Sequence, residues 1–226
     1  MDSAKYLHRL RQRPNRIAEQ PMTKYLFAAW LSIAPLLSMA QSSADVNALL
    51  VLLEQFEHVQ GSFSQRQFGQ DKILLTESSG EFRVLRPSYF AWEVLSPDQQ
   101  LIIVGPEFIW HYDRDLETVT RRPVTDDAEM VPLKIFGGDA EKLQEKFHIV
   151  RQSEDVFVPT PLSEGVGFKQ LTLYVDQAQL GGMKIEDNLD QFVDIKFTDL
   201  DADVELSSAD FAFTPPPGTD LFYYDQ

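Results

Sequence analysis

The chain has 226 residues, with 35 Asp and Glu against 20 Lys and Arg, a formal charge of −15 and no cysteine. That balance argues against nucleic acid and against anionic membrane surfaces as partners, because both attract basic patches. Without cysteine there are no disulfides, so the chain must be stabilised by its core, which this length permits.

The first forty residues read as an export signal. Lys24 supplies positive charge, Leu26 to Leu37 is mostly apolar, and Ser38-Met39-Ala40 fits a small-x-small cleavage site before Gln41. Arg9, Arg11, Arg13 and Arg16 make an unusually long basic region, so Met22 is an alternative start that would make residues 1–21 an extension. A retained membrane anchor is the competing reading, but the apolar run falls short of about 20 residues and contains Pro35. Residues 1–40 carry six Lys/Arg and two Asp/Glu, so cleavage would leave one domain, 41–226, with 14 basic and 33 acidic residues and a net charge of −19. A bacterial lipoprotein carries its lipid on a cysteine directly after the cleavage site; Gln41 stands there, which speaks against a lipid anchor of that kind.

Ser42 or Ser43 is expected to start a helix with Asp45 in its first turn, where the helix dipole favours an acid. Val46, Leu49, Leu50, Leu53 and Phe56 follow helical spacing, and Gly61 is expected to end the helix. Residues 63–68 alternate as a strand, and Gly69-Gln70-Asp71-Lys72 reads as a turn. Strands are predicted at about 73–86, 89–95, 100–105 and 108–112, joined by Ser96-Pro97-Asp98 and Gly105-Pro106, and Leu116 to Arg121 alternates again.

Within this run, every second residue gives Phe82, Val84, Arg86 and then Phe90, Trp92 and Val94, a set more apolar than the one between. Strand side chains alternate between faces, so these residues should look into the protein. Pro87 supports a bend after Arg86.

Between Thr125 and Phe147 the pattern changes. Met130, Leu133, Ile135 and Phe136 form a short apolar segment broken by Pro132 and followed by Gly137-Gly138, and Asp139 caps a second short helix bearing Leu143 and Phe147. Two short helices inside a strand protein read either as a cover or as a crossover packed on a sheet. Strands return at about 147–152, 155–159, 168–176, 180–187 and 190–198, with turns at Gly181-Gly182 and at Asn188-Leu189-Asp190. The tail from Phe211 to Gly218 is extended, since Pro215-Pro216-Pro217 cannot continue a helix. So many successive strands point to an antiparallel barrel or strongly curved sheet.

Signatures of catalysis are missing. Beyond the leader, His58, His111 and His148 form no metal-binding pair, and there is no nucleophile elbow or glycine-rich phosphate loop. No catalytic residue, cofactor or metal is therefore assigned, and the chain is not read as an enzyme. Asp199, Asp201, Asp203 and Asp210 mimic a calcium loop, but Val204 stands where the loop needs glycine; an alternating solvated face is the simpler reading. Phe108, Trp110 and Tyr112 are expected to alternate in step with Phe82, Phe90 and Trp92. Such stripes fit an ordinary β core or the lining of a cavity for apolar ligands, and patterning does not separate the two.

The segment Gly80-Glu81-Phe82-Arg83-Val84-Leu85-Arg86-Pro87-Ser88-Tyr89-Phe90-Ala91-Trp92 resembles the G-x-hydrophobic…R-P-x-x-F-x-W stretch of the periplasmic outer-membrane lipoprotein carriers (LolA type). Ser96-Pro97-Asp98 and Ile109-Trp110-His111-Tyr112-Asp113 follow at the family's spacing, Phe63-Ser64-Gln65 is similar to its F-x-Q, and Phe211 to Gly218 is similar to its F-x-F-x-P-P-x-G ending. The chain departs from the pattern at Gly105-Pro106, where a D-G-type turn is usual, and at Ala91, where arginine or asparagine is common.

The resemblance implies a mainly β fold with a few helices: an incomplete, unclosed antiparallel β-barrel with an apolar cavity under a helical lid. It implies a soluble, monomeric shuttle in the periplasm of a Gram-negative bacterium that takes lipoproteins from an inner-membrane ABC-type releasing complex to an outer-membrane acceptor. Acylated lipoproteins would be the cargo. Arg86 would gate the lid, and Phe82, Val84, Phe90, Trp92, Val94, Trp110, Leu133 and Phe136 would line the acyl site. The lid would comprise residues around 130–147 with part of the 43–60 helix. A regulatory or lipid-sensing module of the cell envelope on the same scaffold is the alternative.

Overall fold

The computed structural model describes residues 36–54, 57–124, 140–163 and 167–224, all within one compact unit, Pro35–Gln226. Helix α1 (Leu36–Glu54) is followed by β1 (His58–Phe68), β2 (Leu74–Leu85), β3 (Tyr89–Ser96), β4 (Gln100–Val104), β5 (Phe108–Asp113) and β6 (Thr118–Pro123). After helix α2 (Ala140–Lys146) come β7 (Phe147–Ser153), β8 (Val156–Pro161), β9 (Gln170–Asp176), β10 (Gln179–Glu186) and β11 (Phe192–Asp201). A 3-10 turn (Ser208–Phe211) leads the tail to β12 (Asp220–Tyr223).

All twelve strands belong to one sheet, in the order β12-β6-β5-β4-β3-β2-β1-β11-β10-β9-β8-β7. Neighbours pair antiparallel except β12, which lies parallel to β6. The end strands β12 and β7 do not pair with each other, so the sheet is the expected unclosed, antiparallel-rich barrel.

The structure places several boundaries differently. Helix α1 is already formed at Leu36 and stops at Glu54, seven residues before Gly61. Asp45 therefore lies mid-helix, where its Oδ2 accepts the backbone N–H of Arg151 on the end strand β7 at 3.0 Å. Gly61 sits inside β1 opposite Phe82. A Cβ there would meet Leu200 at 2.9 Å, the Thr198 carbonyl at 3.0 Å and the Phe82 ring at 3.1 Å, so close strand packing, not helix termination, explains the residue.

The pair Gly181-Gly182 lies within β10, and the turn before it is made by Gln177 (φ 50°) and Ala178 (φ 63°). A Cβ on Gly182 would come within 2.5 Å of the Ile195 carbonyl, so this glycine serves strand approach. β12 has no counterpart among the predicted strands. The expected cap at Asp139 and the apolar segment with Leu133 and Phe136 lie outside the described residues.

One face of the sheet carries the main apolar cluster. Leu49 and Leu53 of α1 and Leu143 of α2 pack there with Phe63, Phe82, Val84, Ile149, Leu171, Leu180 and Phe197. Helix α1 covers the half of this inner face near β7 and β10. The opposite face has a smaller cluster, in which Ala91 and Ile103 pack under Phe211, with Trp110 and Phe213 alongside. Among the described residues, no helix is long and apolar enough to cross a membrane.

Candidate functional site: the inner face of the open sheet

The site is built from register. Val84 pairs with Phe90 and Phe90 with Val104, which pairs with Ile109; one row below, Phe82 pairs with Trp92 and Trp92 with Ile102. Facing pairs put their side chains on one side of a sheet, so these strands present a continuous apolar surface. The aromatic rings then pack against one another. Trp92 stacks on Phe63 with centroids 3.6 Å apart, lies 6.0 Å from Phe82 and 5.9 Å from Phe90, and Phe82 meets Phe197 at 5.0 Å.

This surface is graded. Under α1, Leu49, Leu53, Leu171 and Leu180 are fully buried, whereas Trp92, Val94, Ile102, Ile185 and Val193 keep part of their surface open. The open half ends in a recess of about 460 Å³ lined by Ile102, Ile109, His111, Thr120, Arg122 and Tyr224. Hydrocarbon laid on such a surface is stabilised by desolvation, at about 0.8 kcal/mol per CH₂ buried.

Arg86 follows the last residue of β2, and its backbone N–H donates to the Glu57 carbonyl at 2.8 Å. The guanidinium is half-buried; desolvation pushes its pKa down, and the carboxylates of Glu54 and Glu57 oppose that shift. The residue thus links Glu57, through its backbone N–H, to the β2–β3 turn.

His111 lies beside the recess. Burial lowers its pKa, Asp113 counteracts this and Arg122 adds to it. Its Nε2 is 3.3 Å from Gln100 Oε1, and Gln100 Nε2 donates to Asp113 Oδ2 at 3.5 Å. Among the described residues, no group of three or more metal-ligating side chains is present.

The residues named from the sequence fall into four places. Phe82, Val84 and Phe90 are buried in the inner cluster, and Trp92 and Val94 pack against it with partial exposure. Arg86 stands at its rim. Leu133 and Phe136 lie outside the described residues. Trp110 is on the other face: it pairs with Ile103 and Arg121 and meets Phe213 at 5.5 Å. The expected phase match of Phe108, Trp110 and Tyr112 with Phe82, Phe90 and Trp92 is therefore reversed. The inner side of β5 carries Ile109, His111 and Asp113, because the tail supplies an apolar cover for the aromatic side.

Sequence reasoning left out Phe63, Ile102, Ile109 and Phe197 as inner-face residues, and also the recess residues Thr120, Arg122 and Tyr224. The F-x-Q motif could have placed Phe63, since Phe63 and Gln65 face Phe197 and Ile195 across β11. No local signal marks Tyr224, which reaches the recess only because β12 pairs with β6.

Comparison with known proteins is consistent with this geometry. The family model for outer membrane lipoprotein carrier protein LolA matches residues 54–214. An outer-membrane lipoprotein carrier protein of Pseudomonas paraeruginosa is 30% identical over 203 residues, covering 88% of this chain and 98% of the relative. One from Coxiella burnetii is 32% identical over 188 residues, covering 80% and 88%. Among solved structures, an uncharacterized conserved protein from Thermus thermophilus has a TM-score of 0.50 at 14% identity, covering 81% of this chain and 100% of that one. A LolA superfamily protein from Nitrosomonas europaea has a TM-score of 0.48 at 10% identity, covering 76% and 98%. With the family model spanning most of the chain and relatives matched over nearly their full lengths, this protein belongs to the outer membrane lipoprotein carrier (LolA) family.

Proposed function

We propose that this envelope carrier is a periplasmic shuttle that takes acylated lipoproteins from an inner-membrane releasing complex, shields their acyl chains on the inner face and hands them to an outer-membrane acceptor. The supporting observation is the apolar row Phe82–Trp92–Ile102, partly open in a chain whose surface is otherwise strongly acidic. Several long acyl chains in water represent tens of kcal/mol of hydrophobic free energy, so transit through an aqueous compartment requires such a cover. The working form is residues 41–226, with 1–40 removed on export.

Arg86 is the gate in this reading. In the empty state it holds the cover by hydrogen bonds, and it lets go when acyl chains enter. Each bond from a charged donor contributes roughly 1.5–3 kcal/mol net, the scale of a usable open–closed gap. No bond chemistry is assigned to the site.

Native mass spectrometry of protein purified from periplasm without detergent tests the proposal. Adducts whose mass equals an acylated protein are expected. A homogeneous, cargo-free species from cells that are actively exporting lipoproteins would overturn it.

A further inference from the structure

The inner face is not apolar throughout. Phe63 is buried in its main cluster, and Gln65 and Gln67 follow on the same side of β1, with no register shift between Ser62 and Gln67 on either flank. Gln65 pairs with Ser78 of β2 and Ile195 of β11, and Gln67 pairs with Thr76 and Val193. Facing pairs share a side, so these polar residues form a strip beside Ile195 and Val193, which pair in turn with Met183 and Ile185. At one end of the strip lie the Phe63–Trp92 stack and Val94, which faces Gly80.

The strip carries no charge. The alternate residues Ser64, Arg66, Glu77, Asp194 and Lys196 line a recess on the opposite face, where Arg66 and Asp194 form an ion pair at 3.5 Å. Gln65, Gln67 and Ser78 are half-buried, and among the described residues none of their side chains has a hydrogen-bond partner. Each Gln amide offers two N–H donors and the Ser hydroxyl offers one. Neutral donors suit a neutral acceptor, because neither side gives up the hydration of a charge.

We infer that this strip receives the carbonyl oxygens of the ester or amide groups that join acyl chains to their head. Those oxygens accept from the Gln65 and Gln67 amides and the Ser78 hydroxyl. The tails lie on Trp92 and Val94 to one side and on Val193 and Ile185 to the other. This rests on the acyl-carrying reading of the inner face and adds selectivity for the chemistry of the linkage. A wholly apolar face would favour an ether-linked chain, since an ester must shed the water on its carbonyl without replacement. On the strip that loss is offset by hydrogen bonds, so the ester binds tighter than the ether.

Competitive displacement of a fluorescent fatty-acyl probe, below aggregation concentrations, tests this with two lipopeptides. One carries two myristoyl esters on an S-glyceryl cysteine, and the other is its diether analogue with tetradecyl chains. The diester is expected to bind wild type about tenfold or more tighter than the diether. Gln65→Met combined with Gln67→Met keeps side-chain length, removes both amides and should bring that ratio to one or below, with thermal melts checking the fold. Should the double variant fail to fold, Ser78→Ala removes one donor and should lower the ratio severalfold. Wild type that binds the diether as tightly as the diester, or tighter, would overturn the strip and leave the acyl-carrying reading standing. An unchanged ratio in the folded variants would do the same. Failure of both lipopeptides to bind would overturn both readings.

Discussion

Phe63 on β1 and Trp92 on β3 stack at 3.6 Å although β2 runs between them. The approach is possible because Gly80 of β2 pairs with Phe63 on one side and Val94 on the other, leaving a gap in the row of side chains. A Cβ on Gly80 would run into the Glu93 carbonyl and come within 2.9 Å of the Phe63 ring. Gly80 is thus the space into which the central rings of the inner face close.

Replacing Gly80 by alanine should therefore destabilise the fold by about 1–3 kcal/mol, the usual cost of overpacking. Urea unfolding checks this. A loss below about 0.5 kcal/mol would mean that the strand relaxes and that the gap is not needed.

Trp92 and Trp110 occupy opposite faces, so a tailed ligand should alter the emission of only one. With Trp110→Phe the fluorescence response to a fatty-acyl probe is expected to persist. With Trp92→Phe it should fall to a small residue. The reverse pattern would place the acyl chain on the tail-covered face.

Loss of Arg86 should change cargo kinetics more than folding. If Arg86 gates the cover as proposed, Arg86→Leu removes from the empty, closed state the bonds that reward release, roughly 1.5–3 kcal/mol. Uptake is expected to continue, while transfer to an acceptor slows about tenfold or more. Pulse–chase transfer between purified carrier and acceptor reads this directly. Transfer at the wild-type rate by a folded variant would remove Arg86 from the gate.

His111 sets a pH dependence. Burial lowers its pKa from the ordinary value of 6.5, so between the folded and unfolded pKa values the unfolded chain binds more protons. Its contribution to stability is intact above about pH 6.5 and declines as pH falls through that window toward the lowered folded value. Thermal melts between about pH 5 and pH 8 should show a steeper acid-side loss for wild type than for His111→Gln. Parallel curves would show that the ring titrates equally in both states.

Asp45 ties α1 to the unpaired side of the terminal strand β7 through the Arg151 N–H at 3.0 Å. Asp45→Ala should cost about 0.5–1.5 kcal/mol, the net worth of a hydrogen bond whose donor water can reach. It should also speed amide exchange at Arg151. Unchanged exchange there would indicate that solvent replaces the carboxylate at no cost.

The strands were legible because alternation is a local property. Phe82, Val84 and Phe90 could be assigned to the interior from their spacing and are buried at 3%, 3% and 8% exposure. Glycine was the weak point. Gly61 and Gly182 read as terminators or turns, yet both lie inside strands where a neighbouring backbone leaves no room for a side chain. The turn next to Gly181-Gly182 was instead made by Gln177 and Ala178 at positive φ, for which neither residue gives a signal.

What the sequence by itself determined is the run of strands, the apolar phase of β2 and β3, the position of Arg86 at their junction and the family. These depend on neighbours within a few residues or on motifs of fixed spacing. Only the tertiary structure decided which side of β5 faces inward. The phase between strands follows from hairpin register, and from a distant tail that buries the aromatic side beneath Phe211 and Phe213. The same long-range pairing, β12 against β6, brings Tyr224 to the recess, and no period in the local sequence encodes it.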